Sequence, residues 1–350
     1  MPLRHAWVLS GRHPSEPFNQ EIDPRTEFSV FLERFSGTLI SASVLDGPLP
    51  AVPSLFRRAG LPRMALASLV ASRADEFDAI IASGEDIGIP IALASMPCFS
   101  RTPIHTMFHG HHLDSPKLRL LGPVLRRLPH LHFHCLSSSL RDLTQSVLGI
   151  PGSRCHATGY AADTNYFDNN FIVEQAVIAS AGAANRDFAT LAKAVRGLPV
   201  PVRIAAASTW MPPGAATGPV EWPDNAEARS YGSYARLRDL YRASLFVVIP
   251  LYSARYACGY AVIAEAMAMG RAVVVTRTDA PADFVIPGVT GVFVEPGDVA
   301  GLRKAITQLL ESRAETAAMG QRARATMAGR HGLEQYCDRL AQIVSASITK

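Results

Sequence analysis

Short runs of apolar residues alternate with longer segments that repeat their apolar positions at helical spacing. Such runs are typical of strands buried in a parallel sheet, and the intervening segments are typical of helices that cover it. The predicted strands are 5–10, 39–45, 79–83, 104–109, 131–136, 176–181, 202–206, 245–249, 272–276 and 291–294. The predicted helices include 62–72, 140–148, 186–195, 235–241, 262–269 and 299–310. The alternation predicts an α/β fold built from strand–helix–strand units.

The alternation begins afresh after residue 170 and so divides the chain into two series. Residues 166–170 lie between the series and contain Asp and Asn residues that favour turns, so we place the linker there. We expect two doubly wound, Rossmann-like domains, residues 1–168 and 169–330, with a last helix at 331–350 that packs back on the first domain. Domains of this kind face a cleft lined by the carboxyl ends of their strands.

Composition and charge narrow the function classes. With 350 residues, of which 48% are hydrophobic and 18% are charged, the chain is long enough for two folded domains. The net charge is +4, and the positive surplus lies in residues 171–350. A mild surplus suits a compact anionic ligand such as a nucleotide, whereas nucleic acid would need a dense stripe of Lys and Arg. We therefore expect no nucleic-acid partner.

The cysteines and the first residues indicate the compartment. The five cysteines are odd in number and far apart, which argues against a disulfide framework or a zinc ribbon and favours a reducing environment. They are Cys98, Cys135, Cys155, Cys258 and Cys337. The apolar stretch at 5–10 is too short for a signal peptide or a membrane span. We expect a soluble, cytoplasmic protein.

The most informative stretch is residues 257–276. Gly259 forms a turn before a predicted helix, and free main-chain amides at a helix start favour a phosphate group. Glu265 lies further into the helix, where a carboxylate can accept hydrogen bonds from a ribose diol. Gly270 ends the helix, and the apolar run after it is a buried strand. The segment therefore predicts a nucleoside-diphosphate site.

This stretch resembles the donor-binding segment of the retaining GT-B glycosyltransferases of family 4, whose signature contains two Glu residues eight positions apart. Glu265 falls on the second Glu, and Ala257 stands where the family has the first. The resemblance implies that Glu265 binds the ribose, while the missing first Glu leaves the donor sugar open. The predicted donor-binding residues are Gly182, Arg186, Gly259, Tyr260, Ala261 and Glu265.

The resemblance extends over most of the chain. Residues 135–139, 149–151 and 158–167 are similar to the end of the family's first domain. Residues 180–191 resemble its GRxxxxKGxxxL segment, in which Arg186 falls near the Lys and Ala183 replaces the Arg. The resemblance implies that Arg186 acts in catalysis by holding the leaving diphosphate. The alternative is a solvated arginine at a helix start.

His109 ends a predicted strand of the first domain, where the resemblance places a histidine close to the donor sugar. It is the second predicted catalytic residue, because an imidazole there can hydrogen-bond a sugar hydroxyl and stabilise an oxocarbenium-like centre. A structural histidine is the alternative, and His111 and His112 share the same loop. Gly11, after the first strand, is the predicted acceptor-binding residue.

Two further patterns have simpler explanations. Histidines at 109–112 and 130–134 suggest a metal, yet no carboxylate or cysteine is spaced to complete a zinc site. We expect no metal, and a histidine stripe that packs at a strand edge or beneath a helix. Residues 116–128 mix cations and leucines, for which an ordinary half-buried helix is favoured over a membrane contact.

Together these features predict a retaining glycosyltransferase of the hexosyltransferase class. It would move a sugar from a nucleoside-diphosphate sugar to a hydroxyl or amine of a polysaccharide or small natural product, without a metal or other cofactor. Two alternatives remain: an inactive nucleotide-sugar-binding protein, because Ala257 and Ala183 replace motif residues, and a nucleotide-sugar epimerase of the same fold. The sequence leaves the base, the acceptor and the oligomeric state open.

Overall fold

The computed structural model describes residues 3–11, 23–98, 100–168, 177–206 and 220–348. These residues form two compact units. The described part of the first unit comprises 3–11, 26–98, 100–159 and 336–348, and that of the second comprises 23–25, 160–168, 177–206 and 220–335. The change from the first unit to the second at residues 159–160 comes earlier in the chain than the predicted boundary at 168–169.

The first unit contains a sheet of six parallel strands in the order β2-β1-β3-β4-β5-β6. The strands are β1 (His5–Val8), β2 (Thr38–Ile40), β3 (Ala79–Ala82), β4 (Ile104–Phe108), β5 (Leu131–Cys135) and β6 (Cys155–Ala157). Every residue of β1, β3 and β4 is buried, because helices cover both faces of the sheet. The strand order reverses between β1 and β3, where ligands of doubly wound sheets bind.

Apart from the last helix of the chain, the α-helices described in the first unit are α1 (Glu27–Phe35), α2 (Ala51–Arg58), α3 (Pro62–Ser72), α4 (Glu85–Ser95), α5 (Pro116–Leu125) and α6 (Ser138–Leu148). The start of α6 shows how the sequence sets a boundary: the Ser137 hydroxyl accepts a hydrogen bond from the Leu140 amide (3.2 Å). Gly149 ends the helix in the left-handed conformation, at φ 67°.

The second unit contains another parallel six-stranded sheet, in the order β12-β11-β10-β7-β8-β9. Its strands are β7 (Val177–Ala181), β8 (Val202–Ala205), β9 (Ala226–Arg229), β10 (Ser244–Ile249), β11 (Ala272–Thr276) and β12 (Gly291–Val294). Its helices are α7 (Phe188–Val195), α8 (Tyr234–Arg242), α9 (Tyr260–Ala268), α10 (Val299–Glu311) and α11 (Arg313–Arg330). The strand order reverses between β7 and β10. The last helix, α12 (Leu333–Ser347), belongs mostly to the first unit.

Several predicted boundaries were wrong. The predicted strand 39–45 ends at Ile40, because Ser41 caps a short 3₁₀ helix at Ala42–Asp46 through a hydrogen bond from the Ser43 amide. The predicted helix at 186–195 begins at Phe188, since Asp187 is its cap. Strands β6 and β9 were not predicted: both are short, and β9 is an edge strand whose residues alternate between half-buried and exposed.

The leucine- and arginine-containing segment near residue 120 is a helix, α5. Leu118 and Leu125 are buried, while Leu120 is 81% exposed, so the helix is half-buried as the sequence predicts. Across the part of the chain that the structure describes, no helix combines the length and apolar character needed to span a membrane.

Candidate active site

Two loops of the second unit meet at the carboxyl edge of its sheet, where the strand order reverses. One loop follows β7 and the other follows β10, and main-chain hydrogen bonds join them: the Asp187 amide donates to the Pro250 carbonyl (3.1 Å) and the Tyr252 amide to the Asn185 carbonyl (3.3 Å). The Asn185 side chain also donates to the Tyr252 carbonyl (3.0 Å). The joined loops carry Arg186 and lead into α9 at the same sheet edge.

Helix α9 begins without a capping side chain. Gly259 is its N-cap residue and has a left-handed conformation (φ 79°), which glycine adopts without strain. A Cβ atom at this position would lie 3.1 Å from Cγ2 of Ile249. The first helical hydrogen bond runs from the Ile263 amide to the Gly259 carbonyl (3.0 Å), so the amides of Tyr260 and Ala261 precede the hydrogen-bonded ladder. This end of α9 is suited to an anion.

The side chain of Tyr260 belongs to the core. Its hydroxyl donates a hydrogen bond to the Ala280 carbonyl (3.0 Å), and its ring packs edge-on against Phe284 and Tyr160, each at a centroid distance of 6.0 Å. Only 4% of the residue is exposed. The Tyr260 side chain therefore points into the core, and only its main chain lies at the helix start. The next residue, Ala261, is exposed.

Glu265 lies in the second turn of α9 and is half-buried. Its Oε2 accepts a hydrogen bond from the hydroxyl of buried Tyr241 in α8 (2.9 Å). Burial raises the pKa of Glu265 to about 7, although the Tyr241 hydroxyl and the charge of Arg186 oppose the shift. Among the described residues, none donates a hydrogen bond to Oε1 and no cation forms an ion pair with the carboxylate. One carboxylate oxygen is thus fixed, and the other is available to a ligand.

Arg186 is buried, with 3% of the residue exposed, so the solvated arginine of the alternative interpretation is wrong. Its Nε and Nη1 donate hydrogen bonds to the carbonyls of Ala181 and Ala184, both at 2.8 Å. Gly182, at φ 91°, gives the guanidinium room, because a Cβ atom there would collide with Nη2. Burial lowers the pKa of Arg186, but an arginine remains charged. Nη2 has no hydrogen-bond acceptor within the described ranges of the chain.

In the first unit, a buried glutamate holds the loop that carries His109. Glu85 is the first residue of α4, the helix that follows β3. Because β3 pairs with β4 in the sheet, Glu85 lies beside the end of β4. Its Oε2 accepts a hydrogen bond from the His109 amide and its Oε1 from the His111 amide, both at 3.0 Å. His109 Nδ1 lies 3.4 Å from the same Oε2. Glu85 is 6% exposed, whereas 34% of the His109 side chain is exposed.

The two groups stabilise each other's charge. Burial disfavours a charged imidazole, but the hydrogen bond and the negative charge of Glu85 outweigh it, and the net shift raises the pKa of His109. Burial likewise disfavours a charged carboxylate, yet His109 lowers the pKa of Glu85 to about 2. The pairing with Glu85 distinguishes His109 from His111 and His112, which are both exposed. Sequence reasoning missed Glu85 and the role of Tyr241.

Gly11 follows β1, the strand next to β3, and lies at the sheet edge where the order reverses. Its carbonyl accepts a hydrogen bond from the Ala42 amide (3.0 Å), the residue is exposed, and a Cβ atom there would have no atom within 4 Å. The residues that follow it, 12–22, lie outside the described residues. The prediction that Gly11 binds an acceptor stays a prediction.

His130, the first histidine of the predicted stripe, contacts the Ser95 hydroxyl at the end of α4 (3.2 Å). The other two, His132 and His134, join His105 and His156 in a hydrogen-bonded cluster across β4, β5 and β6. His105 bonds to His134 (2.8 Å) and, through its other ring nitrogen, to Ser347 of α12 (2.9 Å), so this cluster lies against a helix. Burial lowers the pKa of all four histidines of the cluster, that of His132 to about 4. Within the described part of the chain, no group of three His, Cys, Asp or Glu residues is arranged to hold a metal ion.

A family model overlaps the second-unit site. Residues 218–312 match the model described as Glycosyl transferases group 1, a range that includes α8, β10 and α9. The match therefore covers Glu265 and Gly259 but not Arg186 or the first unit. No curated protein matches the sequence.

Solved structures match the chain over nearly its whole length. A glycosyltransferase from Rickettsia africae ESF-5 is similar with a TM-score of 0.74 and 12% identity, covering 100% of both chains. HepE from Anabaena, in complex with UDP and glucose, has a TM-score of 0.69 and 16% identity over 97% of this chain and 99% of that chain. An α,α-trehalose 6-phosphate synthase from Burkholderia multivorans has a TM-score of 0.69 and 12% identity, with 99% and 97% coverage. The chain therefore has the α/β fold of the GT-B glycosyltransferases.

Proposed function

We propose that the protein is a retaining glycosyltransferase that moves a hexose from a nucleoside-diphosphate sugar to a hydroxyl or amine of an acceptor. The observation that carries the proposal is the arrangement at the start of α9. An uncapped helix end, the buried cation of Arg186 and the half-satisfied carboxylate of Glu265 lie at one sheet edge. The helix end and Arg186 are suited to bind a pyrophosphate, and the Glu265 carboxylate is suited to accept hydrogen bonds from a ribose.

The comparisons support this proposal. The matched family model covers the segment with Gly259 and Glu265, and one structural neighbour holds UDP and glucose. In the proposed complex, the phosphates contact the first amides of α9 and Nη2 of Arg186, and a ribose hydroxyl donates to Oε1 of Glu265. The Glu265 carboxylate accepts best when it is ionised, so its raised pKa makes nucleotide binding sensitive to pH near neutrality.

The proposed chemistry requires little from acid or base side chains. The bond between the anomeric carbon and the diphosphate breaks, a bond to the acceptor oxygen or nitrogen forms on the same face, and the acceptor proton passes to the departing phosphate oxygen. Arg186 and the α9 amides stabilise the diphosphate charge without a metal ion. His109 donates its Nε2 hydrogen to a hydroxyl of the transferred sugar and so holds the sugar in the orientation in which transfer takes place.

A second candidate function is nucleotide-sugar binding without transfer. Two observations favour it: Ala257 stands where the resemblance places an acid, and Arg186 already spends two donors on main-chain carbonyls. Such a protein would bind the donor through the same residues and release no diphosphate.

The two candidates are separated by measuring binding and turnover on the same sample. Calorimetry with UDP, GDP and ADP identifies the base, and the matching nucleotide sugars are then incubated with acceptor extracts. The transferase proposal predicts acceptor-dependent diphosphate release and a product with the anomeric configuration of the donor. Tight binding with no release would support the second candidate, and an inverted product would contradict retention. Failure of all three nucleotides to bind would overturn both.

A further inference from the structure

The Glu85 carboxylate is buried, and both of its oxygens contact the loop after β4. The amides of His109 and His111 each donate to one oxygen, and the His109 ring approaches Oε2. A buried carboxylate is unfavourable unless donors compensate it, and here all of these donors come from one short segment. The side chain thus holds the histidine loop.

The backbone explains how one carboxylate reaches both amides. Gly110, between the two histidines, has φ 83°, a left-handed conformation that turns the amides on either side of it toward the same point. Strands β3 and β4 are neighbours in the sheet, so the first residue of α4 lies beside the end of β4. The contact therefore follows from strand order and one glycine.

The contact also sets the direction of the imidazole. With Nδ1 beside Glu85, that nitrogen carries the hydrogen that points to the carboxylate, and Nε2 lies on the opposite side of the ring. No group of the described residues accepts a hydrogen bond from Nε2. The titratable groups around the ring are Glu85, Glu27, Asp86 and His111; Asp86 itself pairs with Arg63 (3.2 Å). The His111 ring stacks on that of His109 at a centroid distance of 6.0 Å, and burial lowers the pKa of His111, so it adds little positive charge. The negative surroundings favour an imidazolium that keeps a hydrogen on Nε2.

We propose that Glu85 is a positioning residue that holds the His109 ring and the 109–111 loop in the orientation in which Nε2 donates to the transferred sugar. This inference rests on the proposed function for its effect on turnover, but the coupling between the two side chains is a property of the free protein. Glu85 contacts the histidine and not the reacting atoms, so it acts through His109.

The test uses Glu85→Gln, Glu85→Asp and Glu85→Ala in the full chain, with Glu76→Gln as the matched control. Glu76 lies in the same unit, has a side chain that is 52% exposed, and pairs with Arg73 (2.7 Å) instead of the histidine loop. Histidine NMR titration of the free protein follows His109, whose signals are assigned by their loss in His109→Gln. Circular dichroism and thermal unfolding verify that each variant is folded.

For Glu85→Gln we expect the pKa of His109 to fall toward the ordinary value of about 6.5. We also expect kcat to fall by about 10- to 100-fold with nucleotide affinity within about twofold, in the range seen when the orienting partner of a functional histidine is removed. Glu85→Asp restores the charge and part of both effects. Glu76→Gln leaves kcat within about twofold.

An unchanged His109 pKa in Glu85→Gln would overturn the proposal, as would a lowered pKa with unchanged kcat. Equal losses in Glu85→Gln and Glu76→Gln would also overturn it, because they would indicate a general effect of removing a carboxylate from the first unit. If the wild-type protein shows no transfer with any donor, the proposed function fails separately. In that case the NMR titration alone decides whether Glu85 holds the ring.

Discussion

The functional edges of the two sheets have the same architecture but opposite carboxylate chemistry. In the second unit, Glu265 accepts one protein hydrogen bond, keeps one oxygen available and has a pKa raised to about 7. In the first unit, Glu85 accepts two amide hydrogen bonds, lies beside an imidazole and has a pKa lowered to about 2. Burial raises the pKa of both carboxyl groups; at Glu85 the hydrogen bonds and charge of His109 outweigh it, whereas at Glu265 the Tyr241 hydroxyl and the charge of Arg186 do not.

The difference separates two roles for the same residue type. A carboxylate whose hydrogen-bonding capacity is used up by its own protein is built to hold a neighbour in place. A carboxylate with an unused oxygen is built to receive a ligand. Substitutions of His109 in the first unit and Glu265 in the second test whether these side chains contact the ligand.

The largest effect is expected at His109. The His109→Ala variant loses the proposed donor to the transferred sugar, so kcat should fall on the order of 100-fold or more while nucleotide affinity stays within about twofold. Steady-state kinetics and calorimetry measure the two quantities on one preparation. The exposed neighbour His112 supplies the control, as His112→Ala should change neither. A parallel loss of kcat and affinity in His109→Ala would remove its proposed role.

The next effect is expected at Glu265. Glu265→Ala removes the carboxylate that we propose binds the ribose, and nucleotide affinity should weaken by about 10- to 100-fold, as for loss of a hydrogen bond to a charged group. The fold should persist, which circular dichroism checks. Glu295 is the control: it is exposed and pairs with Arg277 away from α9, so Glu295→Ala should bind like the wild type. Wild-type affinity in Glu265→Ala for UDP, GDP and ADP alike would contradict the donor assignment.

The pKa of Glu265 gives a third prediction. Since the ionised carboxylate is the better acceptor, nucleotide affinity should fall as the pH is lowered through about 7, by at most about tenfold per pH unit. Calorimetry between pH 8 and pH 6 measures the change. Glu265→Gln has no charge to lose at this site, so its remaining pH dependence reports the nucleotide's own titration. Identical pH profiles for the two proteins would show that the Glu265 carboxylate does not titrate in this range.

The smallest effect concerns the stability of the first unit. The pKa of His132 is lowered to about 4, whereas the unfolded chain has an ordinary histidine pKa of about 6.5. The unfolded state therefore binds a proton first, and the stability that His132 contributes is complete above pH 6.5 and is lost as the pH falls from there toward 4. Between pH 6.5 and 5.5 the loss should reach about 1 kcal/mol.

Urea unfolding at several pH values, followed by a probe in the first unit, measures this loss. His132→Gln removes the titrating group and should have a flatter pH dependence than the wild type. The pair of His109 and Glu85 has the opposite pH dependence. Because the pKa of His109 is raised, its contribution to the free energy of unfolding is lost as the pH rises, whereas that of His132 is lost as the pH falls. A wild-type slope that is unchanged in His132→Gln would contradict the assignment of the acid effect to this histidine.

The sequence predicted the features that depend on local pattern. The runs that became β3, β10 and β11 are apolar except for a terminal Ser or Thr, so their burial could be predicted without knowing their neighbours. Gly259 and Glu265 belong to one short segment, and the start of α9 followed from a single glycine. Local composition contains this information because it concerns residues that are close along the chain.

Contacts between separate elements could not be predicted in the same way. Glu85 reaches His109 only because β3 and β4 are neighbours, and Tyr241 reaches Glu265 from a different helix. Nothing in the spacing of these residues indicates the pairing, since it depends on strand order and register. The burial of Arg186 was missed for a different reason: its acceptors lie close along the chain, but they are main-chain carbonyls, which any residue supplies and which leave no signal in the sequence.

The bracing of Arg186 also bears on the entropy of ligand recognition. An arginine side chain carries about 2 kcal/mol of rotamer entropy, which a flexible surface arginine loses when it grips a phosphate. Here two carbonyls and the bare backbone of Gly182 have already confined the guanidinium to one orientation during folding. A diphosphate that arrives at Nη2 meets a preorganised cation, and no further ordering of this side chain subtracts from its affinity.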